Sequence, residues 1–572
     1  MLSFARSSRA MKPAHLFNSW KSCALTLTAG THAHTLPRRE KNVVYSDIPD
    51  IPTPHIDLPG LIFSRAKNWM NHDAIECGIT GRKYTYAGMI DRALRWGGVV
   101  QQVLSAPSSS KLITLFCSNA PEFPILLLGS QAVGVTITTI SSASTVEELA
   151  RQLEDSGTEV VVTDPQFEEV LMSALARLNK VMTIFVNGDS AHGHPNLRHI
   201  IEDDSKPLVE PVENPLTSTS LLLYSSGTTG KPKGVELSHS AIVSNLVNFS
   251  HPDLLAYRCA TAKEQEVVVG VMPFYHTYGI YVVGLISWYL GAKIVTLPAF
   301  TPHDFVRVVK DHKVRILHLV PPILNFMVMS PTVTPTDLVN VEVAMCAGAP
   351  VPVTAAEALK KKAPKPILFQ EGFGMTEALA THMTPVNEEK IGSCGKCLPN
   401  AMAKVADLST GKALPAGERG ELRIKSPSLM KGYHKNPTAF AESFDDDGWF
   451  CTGDVATQEN GFFYIVDRIK ELIKVKGYQV SPSELEDLLL QHSGVKNVAV
   501  VGVPDERAGE MPRAYVIRQD DTTEEDLNKF LEPRVAAYKY LKGGIKFVDE
   551  LPTNATGKVL KRQLKELAAK DL

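Results

Sequence analysis

Tyr224-Ser-Ser-Gly-Thr-Thr-Gly-Lys-Pro-Lys-Gly234 is the stretch on which the reading of this 572-residue chain turns. It follows an apolar run, Leu221–Leu223, that predicts a strand, and it leads into a second strand-like piece, Val235–Leu237. Four Ser/Thr hydroxyls, three glycines and two lysines crowd into it. Glycine permits close backbone approach and positive φ. Successive backbone N–H groups form an anion-binding nest, and ammonium groups offset the charge of a polyphosphate. A mobile surface loop is the competing reading of the string alone. It is not a Walker A loop, because the second glycine of that pattern, counted from Gly227, falls on Pro232.

Around this loop, helical and strand patterns alternate from about residue 60 to 187. Ala87–Leu104 and Glu122–Ala132 read as helices, Lys111–Cys117 and Glu159–Thr163 as strands. The rhythm returns in Val267–Met272, Ala292–Leu297, Asp304–His312, Ile316–Val320 and Val341–Cys346. Such alternation predicts parallel α/β layers. From Ala403 to Ile465, short strands and Gly/Pro turns predict a small β-barrel-like subdomain. Asp467 then begins a remainder with its own apolar elements, Leu485–Leu490, Val495–Val503, Arg513–Ile517 and Gly544–Val548. The expected architecture is a large multi-layered α/β N-terminal domain over 45–466 and a smaller mobile α+β lid over 467–572.

Further motifs follow the loop in order: Phe274-Tyr-His-Thr-Tyr-Gly279, Glu371-Gly-Phe-Gly-Met-Thr-Glu377, Gly448-Trp-Phe-Cys-Thr-Gly-Asp454, Val466-Asp-Arg-Ile-Lys-Glu-Leu-Ile-Lys-Val-Lys-Gly477 and Pro552-Thr-Asn-Ala-Thr-Gly-Lys558. Together with the loop, these resemble the signatures of the adenylate-forming superfamily of acyl-CoA ligases, luciferases and peptide-synthetase adenylation domains. The likeness runs from about Asp57 to Arg562 and is nearest to the 4-coumarate–CoA ligase-like branch, through Lys474-Val-Lys-Gly-Tyr-Gln479.

The resemblance implies an ATP-dependent ligase that joins a carboxylic acid to AMP, releases pyrophosphate, and passes the acyl group to CoA. It implies phosphate contacts from Ser225, Ser226, Gly227, Thr228, Thr229 and Lys233, an α-phosphate contact from Thr376, and Mg²⁺ at Glu377. Ala349, Glu371, Gly372 and Phe373 would border the nucleotide, with Phe373 stacked on adenine where many relatives have tyrosine. Asp454 would take the ribose and Arg468 support it, while Lys558 would bridge carboxylate and α-phosphate. Lys470, Lys474 and Gln479 match residues that approach acyl-AMP, and Lys476 and Gly477 match positions that meet CoA in a second lid pose.

His276 matches an aromatic-lined gate. Thr277, Tyr278, Gly348, Ala349, Pro350 and Gly372 match an acyl pocket. Two departures stand out: Glu371 replaces the plant enzymes' glutamine, and Ala378-Leu379-Ala380 replaces their Ala-Gly-Pro. The second puts a hydroxycinnamate substrate in doubt and leaves medium- or long-chain fatty acids and aryl acids equally admissible. A luciferase-like monooxygenase and a non-catalytic nucleotide- or acyl-binding pseudoenzyme are the alternative functions.

Composition agrees with a globular enzyme: 44% apolar, 21% charged, net charge −3. That balance argues against an electrostatic nucleic-acid binder. Eight scattered cysteines predict reduced thiols, with Cys394-x-x-Cys397 read as a turn in preference to a zinc or redox site. No apolar run reaches the roughly 18–20 residues of a membrane span, though peripheral membrane contact stays open. Ile280–Leu297 is expected as buried core. The first 39 residues lack Asp and Glu and carry Arg6, Arg9, Lys12, Lys21, Arg38 and Arg39. This predicts a mitochondrial transit peptide, against a secretory signal or a disordered extension over 1–40. The C-terminal Ala-Lys-Asp-Leu is not the peroxisomal Ser-Lys-Leu, and no fused carrier domain is expected after Lys558.

Overall fold

The computed structural model describes residues 40–104, 111–225, 232–476, 478–505, 507–553 and 558–570. Two mainly parallel sheets form the large domain. The seven-stranded sheet runs Gly432–Tyr433, Lys233–Ser238, Thr219–Ser225, Thr136–Thr139, Leu112–Phe116, Val160–Thr163 and Thr183–Val186. The nine-stranded sheet has Leu368–Met375, Val343–Cys346, Ile316–Leu319 and Val267–Gly270 side by side. Strands such as Leu112–Phe116 and Val160–Thr163 are buried along their whole length, as expected of a parallel sheet covered on both faces.

Local chemistry sets the covering helices. The Thr85 side chain accepts from Gly88 N to start Tyr86–Val103. Val146–Ser156 opens with a Thr145/Glu148 capping box and closes at left-handed Gly157. Helices Tyr86–Val103 and Phe123–Gln131 approach so closely that a Cβ at Gly129 would lie 2.2 Å from Ala93 O, which only glycine avoids.

Ile280–Leu297 is buried as expected, with Ile280, Leu285, Ile286 and Trp288 all inaccessible. Its first turns are a π-helix, Tyr278–Leu285, followed by the helix Ile286–Leu290 and the strand Lys293–Thr296. Among the described residues no helix is long and apolar enough to cross a membrane.

The β-rich region forms a five-stranded antiparallel sheet: Val43–Tyr45, Met402–Ala406, Gly420–Lys425, Phe450–Glu459, Phe462–Arg468. Pairing continues through Asp467 and Arg468, opposite Val455 and Asp454, so this sheet runs into the hinge. The smaller domain has its own sheet around the long hairpin Val495–Asp505/Gly509–Arg518, packed on helices Pro482–Leu489 and Lys561–Lys570 and enclosing a separate apolar core. The seven described cysteines are free thiols. Cys394 and Cys397 flank a left-handed Gly395, and burial pushes both thiols up.

Candidate active site

Ser225 and Lys233 face each other in antiparallel register, framing the loop between their strands. Of the expected phosphate contacts, Ser226, Gly227, Thr228 and Thr229 lie outside the described residues, as does Gly477. Tyr224 anchors the loop's entry, its hydroxyl donating to Asp155 Oδ2 at 2.6 Å. Ser225 Oγ donates to Glu377 Oε1 at 2.9 Å, and Tyr433 OH donates to the same oxygen at 3.1 Å. Lys233 Nζ sits 4.8 Å from the centre of the Tyr433 ring. Glu377 Oε2 is left without a protein partner among the described residues. One free carboxylate oxygen beside a phosphate loop fits Mg²⁺, a hard cation that fills its shell with phosphate and carboxylate oxygens.

Glu371, Gly372 and Phe373 lie on the strand Leu368–Met375, which turns at Thr376-Glu377 and returns as Leu379–Met383. Leu379 holds φ +57, a conformation rare for a branched side chain, immediately after the turn. Thr277 Oγ1 lies 3.2 Å from Thr376 Oγ1, which ties this turn to the His276 loop. The Phe373 ring packs edge-on to His382, with ring centres 5.9 Å apart.

Buried Asn119 fixes the His276 loop. Its amide donates to Gly270 O and Met272 O, and its carbonyl accepts from Phe274 N, each at 2.8 Å. Tyr278 N donates to His276 Nδ1 at 3.2 Å, leaving the ring proton on Nε2. His276 keeps exposed surface although protein packs closely around it. Burial, and then the charge of Lys558, pull its pKa down to about 4. It is therefore neutral near pH 7 and a donor through Nε2. Tyr278 OH donates to Met345 O at 3.1 Å, and Gly348, soon after that strand, takes φ +88.

Asp454 and Arg468 pair across adjacent strands, Arg468 Nε to Asp454 Oδ1 at 3.0 Å. Asp454 is 3% exposed, and its Oδ2 is buried with no hydrogen-bond partner among the described residues. An orphaned buried carboxylate oxygen is costly unless something supplies a donor, and a ribose hydroxyl fits that need. Burial raises the Asp454 carboxyl, with Arg468 and Lys558 pulling it back.

Lys558 precedes Val559, which bridges Thr553, and Leu560 N donates to Pro552 O at 2.8 Å. Burial lowers its pKa; Arg468 lowers it further, while Glu471 and Asp454 oppose the shift. Lys558 thus stands where its charge reaches Asp454, Arg468 and His276 at once. Lys474 and Gln479 face each other across a short hairpin, both exposed; Lys470 is exposed at the hinge, and Lys476 holds φ +49 at the hairpin turn.

The sequence motifs did not include Tyr433 or Asn119, and Asp467, though inside Val466–Gly477, had no role assigned to its carboxylate. Asp467 is 4% exposed, and its Oδ2 accepts from Ser481 Oγ at 2.7 Å and Ser483 N at 3.1 Å, clasping the start of the lid helix Pro482–Leu489. The bare signal for Tyr433 was an aromatic beside a glycine, Gly432, with no spacing to mark it.

Comparison with known proteins agrees with this geometry. Residues 62–434 match the AMP-binding enzyme family, and residues 484–558 match the AMP-binding enzyme C-terminal domain. The chain belongs to the AMP-binding enzyme family. It is 34% identical over 547 residues to 4-coumarate–CoA ligase 5 of Oryza sativa subsp. japonica, covering 93% of this chain and 98% of that protein. It is 32% identical to 4-coumarate–CoA ligase 3 of Arabidopsis thaliana, at 93% and 95% coverage. ATP-bound MatB from Rhodopseudomonas palustris superposes with a TM-score of 0.79 at 26% identity, covering 90% of this chain and 99% of MatB. In this AMP-binding enzyme, Ser225, Lys233 and Asp454 belong to the large domain, and Lys558 follows the strands of the smaller one.

Proposed function

We infer that this chain is an ATP-dependent, AMP-forming acid–CoA ligase. The convergence of Lys558 on Asp454 and His276 supports this reading most strongly. A carboxylate is a poor electrophile and needs a leaving group before a thiol can displace it. Its oxygen attacks the α-phosphorus of ATP; the bond to the bridging oxygen breaks, giving acyl-AMP and pyrophosphate. The CoA thiol then attacks the acyl carbon, its proton goes to solvent, and AMP leaves.

Both steps move negative charge, so positioned cations and donors do the work. Lys558 bridges the incoming carboxylate and the α-phosphate, a charge-assisted contact strengthened by its burial. Thr376, held by Thr277, faces the α-phosphate. Ser225 and Lys233, with the loop between them, hold the outer phosphates, and Asp454 with Arg468 holds the ribose. Glu377 would hold Mg²⁺, which neutralises phosphate charge when bound. Neutral His276 offers Nε2–H at the mouth of the acyl pocket without adding a second cation beside Lys558.

For the second step, the lid turns so that Lys476 and Gly477 meet CoA, with Lys474 and Gln479 beside acyl-AMP. Domain rotation of this kind shields a hydrolysable intermediate. Fatty and aryl acids both suit a pocket bordered by Gly348, Ala349 and Gly372, where small side chains leave volume. Residues 1–39, free of acidic side chains, support mitochondrial targeting. The test is pyrophosphate release and thioester formation across acetate to palmitate, benzoate and cinnamates. A selective acid with CoA-dependent product is expected; inertness toward every acid with ATP and Mg²⁺ supplied overturns the reading.

A further inference from the structure

Glu371 is a buried carboxylic acid without a counter-charge. The residue is 6% exposed, and Oε1 accepts from Gly392 N at 2.6 Å. Oε2 has no protein partner among the described residues. The titratable groups facing it are thiols: Cys346, directly opposite in the register of the neighbouring strand, and Cys394, from the loop before Lys396–Cys397. No lysine or arginine among the described residues offsets it.

The position is rigidly held. Glu371 N donates to Thr384 Oγ1 at 3.2 Å, and Thr384 Oγ1 donates back to Glu371 O at 3.0 Å. Residues two apart on a strand share a face, so the Glu371 carboxyl projects on the side that carries the Phe373 ring. An ionised carboxylate there, with one backbone donor and no cation, is costly, so the protonated form is preferred. Burial raises its pKa to about 8, Gly392 opposing. With Oε1 occupied as the acceptor, the proton belongs on Oε2, the oxygen that lacks a partner. A neutral acid there is a donor, and a purine ring presents nitrogen acceptors along its edge.

We propose that Glu371 serves the nucleotide site as an uncharged acid, its Oε2–H donating to a ring nitrogen of the bound purine, so that nucleotide affinity falls as this proton is lost. The proposal rests on the AMP-binding reading of the cleft. Glu371→Gln is the discriminating variant: an amide N–H₂ supplies the same donor and does not titrate.

The experiment measures equilibrium AMP binding by full-length protein between pH 6.5 and 9. AMP is a dianion over most of that range, since the second phosphate ionisation lies near pH 6. Lys558 also titrates on the alkaline side, so both forms are compared in a Lys558→Met background as well. The expected result is a dissociation constant about tenfold higher at pH 9 than at pH 7 with Glu371 present, and under about twofold higher with Glu371→Gln, in both backgrounds. Thermal unfolding of each variant confirms that binding is read on folded protein. Equal pH profiles with and without Glu371 overturn the proposal while leaving the nucleotide site intact. Wild-type protein that binds no AMP at any pH overturns the underlying reading, and the proposal with it.

Discussion

Arg468 Nε lies 3.0 Å from Asp454 Oδ1, while the other oxygen of Asp454, buried, meets no donor among the described residues. Half of this carboxylate is structural and half is available. Replacing Asp454 by Ala removes a charged acceptor worth roughly 1.5–3 kcal/mol. The KM for ATP in pyrophosphate release is expected to rise about 10- to 100-fold. An unchanged KM excludes Asp454 from nucleotide binding.

Lys558→Ala is expected to lower carboxylate-dependent pyrophosphate release by at least about 10²-fold, the scale of losing one transition-state donor. Thioester formation from supplied acyl-AMP should survive. The ammonium is the active form, and burial lowers its pKa. The alkaline fall in adenylation rate should therefore come below the ordinary lysine value of about 10.4. Lys558→Arg, whose guanidinium stays charged, should remove that limb from the rate–pH profile.

His276 has its pKa lowered to about 4, so it stays neutral from about pH 5 upward. No limb of the rate profile between pH 5 and 8 should belong to it. If a limb near pH 6.5 disappears in His276→Asn, the imidazole is charged during turnover and its assigned role is wrong. The stability sign also follows: unfolded histidine binds a proton at pH 5 and folded His276 does not, so its contribution is lost as pH falls from about 6.5 toward 4.

Tyr433→Phe deletes one donor to Glu377 Oε1 and keeps the ring beneath Lys233. Ser225 still holds the carboxylate. A loss of about 0.5–1.5 kcal/mol corresponds to a roughly 2- to 12-fold rise in the Mg²⁺ concentration for half-maximal pyrophosphate release. Tyr433→Ala, which also removes the cation–π contact, should do worse.

The layered fold was legible because its strands are short apolar runs separated by amphipathic helices, each with a local signal of its own. The helix expected at Ala87–Leu104 forms at Tyr86–Val103, where Thr85 supplies the cap. Candidate site residues were legible where function demands an unusual local string. Tyr433 and Asn119 carry no such string; they act because the sheet brings Gly432–Tyr433 alongside Lys233–Ser238 and because Asn119 reaches a strand about 150 residues away in sequence. The π-helical start of Tyr278–Leu285 was equally hidden, since a uniformly apolar segment has no periodicity to betray its pitch. The β-rich region proved more regular than its Gly/Pro content suggested, with one strand, Phe450–Glu459, running ten residues.

The grip of Asp467 on Ser481 and Ser483 carries a further consequence. Asp467 belongs to the smaller domain by its side chain, while its neighbour Arg468 belongs to the larger one through Asp454. A swivel placed before this dipeptide tears the arginine from its aspartate; one placed after it pulls the serines away. Under the proposed lid rotation, passing from one half of the reaction to the other therefore breaks one of these two polar contacts.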